Sequence, residues 1–115
     1  MSTLAQYYAR LEGCEPGDPL ELVSDDLRFA INLPDRRFSG GRAELREYIE
    51  GRGPTRRHHQ ISHRSREGGL EYLVGEVRED GEVLAGFVAA AQFDADARLC
   101  RYLVTMSADV TFDSA

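Results

Sequence analysis

The sequence predicts an α+β fold in which helices pack on one face of a curved antiparallel sheet. Three observations carry that reading. Helical apolar periods occur only before Pro54, the period beyond it is two, and the last third, Leu84 to Val110, reads as one long antiparallel hairpin. On that hairpin Phe87, Ala89, Ala91 and Phe93 share one face of the first strand, and Cys100, Tyr102, Val104 and Met106 share one face of the second. The opposite face mixes Gln92, Arg101, Thr105 and Ser107 with Val88, Ala90, Leu99 and Leu103, a half-apolar pattern expected to meet a second subunit.

The elements follow in order. Thr3-Leu4-Ala5-Gln6 has the form of a capping box, and Leu4, Tyr7, Tyr8 and Leu11 continue as an amphipathic helix to about Glu12. Gly13 and Pro16-Gly17 turn the chain, and Asp18-Pro19 starts a short second helix reaching about Val23. After Ser24-Asp25-Asp26, the alternation of Leu27, Phe29, Ile31 and Leu33 makes a half-buried strand that stops at Pro34-Asp35. Phe38 fits a short return strand. Gly40-Gly41 precedes a third helix with the apolar stripe Leu45, Tyr48 and Ile49, ended by Gly51, Gly53 and Pro54. His58 to Arg66 and Leu70 to Arg78 are strands joined at Gly68-Gly69, and Asp80-Gly81 is a hairpin turn into the terminal pair.

Composition narrows the function. A chain of 115 residues is expected to be one domain, 1–115, burying roughly 65% of its unfolded surface in a single core. Fourteen basic residues against twenty acidic ones give a formal charge of −6, which argues against nucleic acid as a partner. Every basic residue is arginine, many of them between Arg52 and Arg66, and this reads as compositional bias and not as a site. Cys14 and Cys100 have no metal-ligand spacing and are expected to be reduced thiols of a cytoplasmic protein. No signal sequence and no apolar run of membrane-spanning length occurs, so no membrane partner is expected.

The leading helix pair, Ser24-Asp25-Asp26-Leu27-Arg28-Phe29, then Gly41 with Ala43, Leu45 and Tyr48, and the terminal Phe93-Asp94-Ala95-Asp96 with Arg98-Leu99 resemble the nuclear transport factor 2-like superfamily, in its SnoaL-like and ketosteroid isomerase-like branch. The resemblance covers nearly the whole chain. It implies a cone-shaped curved sheet, an α+β barrel wrapped around the N-terminal helices and one further helix. It also implies a deep apolar pocket and a homodimer through the outer sheet face. Where isomerases of this family carry an acidic base on the first strand, this chain has Ile31 or Asn32; where they carry an acidic donor on the penultimate strand it has Ala89; their helix-one tyrosine corresponds to Tyr8 or Tyr7.

Candidate site residues follow from the inward faces. His59 and His63 share the face of Ile61, so both are expected to look inward, at the pocket or at its rim, and imidazole titrates near working pH. They cannot share a metal, because i and i+4 on a strand lie roughly 13 Å apart. His58 faces the other way. Tyr8 and Tyr102 can each donate to a ligand carbonyl, or can be core aromatics. Asn32 can orient a ligand or cap a turn, while Glu71 and Glu76, on opposite faces of one strand, read as surface carboxylates. Phe29, Phe87, Ala89, Val104 and Met106 complete the expected ligand-binding set with Tyr8, Asn32, His59, His63 and Tyr102. No phosphate loop, nucleophile elbow or dinucleotide fingerprint occurs, so no cofactor and no metal is expected.

Two function classes fit. One is a binding or accessory domain holding a small hydrophobic molecule, the reading favoured by the absent acidic residues. The other is a cofactor-independent isomerase, cyclase or dehydratase acting on a small hydrophobic carbonyl compound, with His59 as acid or base and Tyr8 or Tyr102 as electrophile. Three or more polar groups converging in the pocket would favour the enzyme.

Overall fold

The computed structural model describes residues 3–53 and 56–112. Helix α1 (Thr3–Leu11) is followed by a 3-10 turn (Pro19–Leu22), strand β1 (Val23–Asn32), short β2 (Arg37–Gly40) and helix α2 (Arg42–Arg52). Four strands follow among the described residues: β3 (Arg57–Glu67), β4 (Leu70–Glu79), β5 (Glu82–Phe93) and β6 (Leu99–Ser107). They form one curved sheet in the order β2-β1-β6-β5-β4-β3, which leaves β2 and β3 as free edges; the sheet is not closed into a barrel. Every pairing is antiparallel except β1 with β6, which run parallel and bring the first and last strands together.

Local chemistry explains the starts and stops. Asp18 accepts from the Leu20 amide at 2.9 Å and donates its own amide to the Glu21 carboxylate at 3.1 Å, but the segment makes only one 3-10 turn before β1 begins at Val23. Thr3 lies inside α1 and does not cap it: its hydroxyl donates to the Ala97 carbonyl at 3.1 Å, tying the helix to the β5–β6 turn. Helix α2 runs through Gly51 and ends at Gly53, whose φ of 63° is the left-handed conformation that glycine accepts. Pro54 lies outside the described residues. Asp80 and Gly81, both at positive φ, make the two-residue turn between β4 and β5. In the next turn Asp94 Oδ1 accepts from the amides of Asp96 and Arg98, each at 2.9 Å.

The concave face holds the core. Leu4, Tyr7 and Tyr8 of α1 are buried against it, with Tyr8 edge-on to Phe87 and Tyr7 edge-on to Tyr102, as the pairing of an amphipathic helix with an apolar sheet face requires. Phe87, Ala89, Ala91, Tyr102 and Val104 are buried, as expected of the hairpin's inner face, and Phe93 is half-buried with the Arg66 guanidinium 5.7 Å from its ring centre.

One-residue bulges overturn the remaining parity arguments. Cys100 is the extra residue opposite the Gln92–Phe93 step, its thiol donating to the Gln92 carbonyl at 3.3 Å, so Leu99 swings into the core instead of the outer face. Ser62 is the extra residue in β3, placing Ile61 opposite Gly75 and His63 opposite Val74 on the convex side. Glu71, read as a surface carboxylate, is buried on the core face of β4.

The β3 bulge needs a glycine across from it. A Cβ built at Gly75 would lie 2.2 Å from the Gln60 carbonyl oxygen and 2.9 Å from the Phe87 ring. Gly75→Ala should therefore destabilise the fold by about 1–3 kcal/mol in urea melts; an unchanged midpoint would show that the bulge yields freely.

Candidate functional site

Helix α1 ends where the edge strand β3 begins to cover it, and that junction builds the site. Glu12 follows the last turn of α1, its amide still donating to the Tyr8 carbonyl at 2.9 Å, so it continues the buried face of the helix four residues beyond Tyr8. One oxygen of its carboxylate, Oε2, accepts from the His59 backbone amide at 3.0 Å and from His59 Nδ1 at 2.9 Å. Both side chains are only 8% exposed. A carboxylate can only accept, so Nδ1 carries a proton; in the neutral form of the ring the lone pair is then at Nε2, which makes no hydrogen bond among the described residues.

Aromatic packing holds the imidazole in place. The ring stacks on Tyr8 at 4.2 Å with 7° between planes, and meets Phe87 edge-on at 5.1 Å. The Tyr8 hydroxyl in turn lies 2.6 Å from the Tyr102 hydroxyl. Only one proton can occupy that short bond, so the pair keeps a second hydroxyl proton to offer elsewhere. Tyr7 packs on both partners and lies at the same wall.

These groups surround a cavity of about 650 Å³. Tyr7, Tyr8, Tyr102 and His59 line its polar wall; Leu11, Ile31, Leu33, Val77, Val104 and Met106 line its apolar one; Tyr48, Gly51, Glu79 and four arginines complete it. Burial pushes the Tyr7, Tyr8 and Tyr102 hydroxyls well above the ordinary phenol range; the neighbouring phenols add to the rise at Tyr7 and Tyr102, while at Tyr8 the hydrogen bond with Tyr102 opposes it. They therefore stay protonated donors throughout the physiological range.

The sequence-derived candidates divide accordingly. Tyr8, His59, Tyr102, Val104 and Met106 line the cavity. Phe87 is buried beneath His59, and Phe29 and Ala89 are core residues that do not line it. Asn32 donates to the Thr105 hydroxyl at 3.2 Å and lies off the cavity. His63, expected inward, is exposed on the other face because of the Ser62 bulge; Ser62 Oγ donates to the Val74 carbonyl at 3.0 Å and so takes the His63 Nδ1 proton as acceptor at 2.9 Å. Glu12 was not singled out by sequence, although its i+4 spacing from Tyr8 was a usable signal. The arginines at the rim, read as bias, are part of the wall. Among the described residues no group of three or more histidines, cysteines or carboxylates is placed to hold a metal ion, and no helix is long and apolar enough to cross a membrane.

No family model and no curated protein matches the sequence. Solved structures do. A provisionally named SnoaL-like polyketide cyclase from Shewanella denitrificans superposes with a TM-score of 0.70 at 16% identity, over 91% of this chain and 88% of that one. A provisionally named ketosteroid isomerase from Kribbella flavida gives 0.69 at 16% identity, over 98% of this chain and 79% of that one. A nuclear transport factor 2-like protein of unknown function from Cytophaga hutchinsonii gives 0.68 at 10% identity, over 91% and 87%. The chain has the nuclear transport factor 2-like fold of these proteins.

The buried phenols set an alkaline limit on stability. Their folded pKa lies above the unfolded value near 10, so between the two the unfolded chain has released protons that the folded one still binds, and rising pH favours unfolding. Stability should be independent of these groups below about pH 10 and fall beyond it by up to about 1.4 kcal/mol per pH unit for each phenol. Denaturant melts between about pH 8 and 11.5 should show that slope, shallower in Tyr8→Phe; a flat profile would mean the hydroxyls are solvated.

Proposed function

We propose that the protein is a cofactor-independent acid–base enzyme acting on a small carbonyl compound, a catalyst of enolisation and the isomerisation or cyclisation that follows. The observation that carries this is the Glu12–His59 hydrogen bond stacked directly on the Tyr8–Tyr102 pair in one cavity. In the proposed step His59 Nε2 takes a proton from the carbon beside the substrate carbonyl. The electron pair moves to the carbonyl oxygen, which accepts the uncommitted hydroxyl proton of the tyrosine pair as a hydrogen bond. Glu12 steadies the imidazolium that forms, and returning the proton to a different carbon completes an isomerisation. This reading replaces the missing family carboxylates with a carboxylate-oriented histidine. It is supported by the convergence of Tyr7, Tyr8, Tyr102 and His59 on one space, more polar groups than a passive apolar binder needs. The cyclase and isomerase names carried by two structural neighbours are compatible with it.

The test uses a ketone with acidic α-hydrogens, β-tetralone, in deuterated water. Wild-type protein should accelerate deuterium incorporation, followed by proton NMR, and His59→Gln should lose about 10²–10⁴ of that rate. Tyr102→Phe should lose about 10²–10³. A wild-type rate no greater than buffer would sink the acid–base reading for this substrate class, as would an unaffected His59→Gln.

We further propose that the working unit is a homodimer through the convex sheet face. Tyr72, Ala90 and Leu103 lie in register across β4, β5 and β6, and Val74 and Val88 form the next row. Leu103, Val88 and Tyr72 are 51%, 47% and 39% exposed in the single chain, a contiguous apolar strip that a second copy would cover by two-fold symmetry. Sedimentation should give a dimer at micromolar concentration and a monomer for Leu103→Glu, whose carboxylates would be buried unpaired; a monomeric wild type refutes this interface.

A further inference from the structure

The charges around the cavity run against those of the whole protein. Four of the fourteen basic residues line it, Arg36, Arg52, Arg56 and Arg57, whereas among the described residues one carboxylate does, Glu79. They come from three separate segments: the β1–β2 turn, the end of α2 and the start of β3. Arg56 is paired with Asp80 at 3.1 Å, and the Arg36 guanidinium sits 5.2 Å from the Phe38 ring centre. Arg52 is half-buried and has no ion pair or hydrogen bond among the described residues. A partly desolvated guanidinium without a counter-ion is unfavourable until an anion meets it, and its planar fork suits a carboxylate.

We propose that the ligand of this cavity is an amphipathic organic acid: an apolar body against Val77, Val104 and Met106, and one carboxylate or equivalent acid group held at the rim by Arg52 with Arg36. This rests on the cavity being the working site, as read above, and adds the charge of the substrate. The separation of functions is physical. The rim cations bind the end that does not react, and the histidine and tyrosines are left to face the end that does. An acidic protein with a basic rim also draws anions to that one place, because like charges elsewhere repel them.

Two fluorescent probes that share an aromatic skeleton test it: anilinonaphthalene sulfonate, which carries an acid group, and its uncharged parent phenylnaphthylamine. The sulfonate should bind roughly tenfold more tightly than the parent. Its affinity should fall as salt rises from about 0.01 to 0.5 M, while that of the parent should not. Arg52→Gln should remove most of the difference, and Arg98→Gln, which deletes the same charge in the β5–β6 turn, should keep it. Inorganic sulfate at millimolar concentration should not displace the sulfonate dye, since the apolar body is part of the recognition. Equal binding of both dyes, binding of neither, or a difference that survives Arg52→Gln overturns the proposal. The two readings fail separately: loss of dye preference with intact deuterium exchange removes the anionic ligand alone, and intact preference without exchange removes the acid–base chemistry alone.

Discussion

An open six-stranded sheet has a concave apolar face that must be covered, and here one nine-residue helix does much of the covering. Helices this short are marginal in water, so α1 exists because Leu4, Tyr7 and Tyr8 gain burial on the sheet, not because of its own propensity. The same scarcity makes the cavity: α1 is too short to fill the concave face, and the space beyond Leu11 is closed by α2 and the turns instead of by core side chains. Glu12 stands at that boundary. It ends the packed part of the molecule and begins the open part.

Much of the fold could be read from periodicity. The helix α1, the two-residue turn at Asp80-Gly81 and the inner faces of β5 and β6 all follow from spacing that obeys one rule along its length. Failures occurred where one residue interrupts that rule. Sequence alternation has no marker for an inserted residue, and a single insertion reverses every side chain beyond it. Cys100 and Ser62 each do this, which is why Leu99 moved inward and His63 outward, while His59, on the near side of the bulge, kept its place.

The site was less legible for a different reason. Its inner tyrosines and His59 lie on periodic faces, and such residues announce themselves. Glu12 follows a helix end, and the contact that gives it meaning joins positions 12 and 59, which no local pattern relates. Arg52 and Arg36 are surface-type residues whose common property is a shared rim, visible only once three segments meet. Buried Glu71 was missed likewise, since charge alone pointed it outward.

His59 belongs to a strand with only one strand neighbour, and its amide is held by a side-chain carboxylate. Edge strands loosen more readily than interior ones, so local opening here releases backbone and imidazole in the same event. Loss of the Glu12 contact would leave β3 paired with β4 alone and unclamp the ring from its tautomer. In the acid–base reading proposed above, one carboxylate oxygen would therefore serve two ends at once, holding the start of the edge strand and fixing the tautomer of the imidazole.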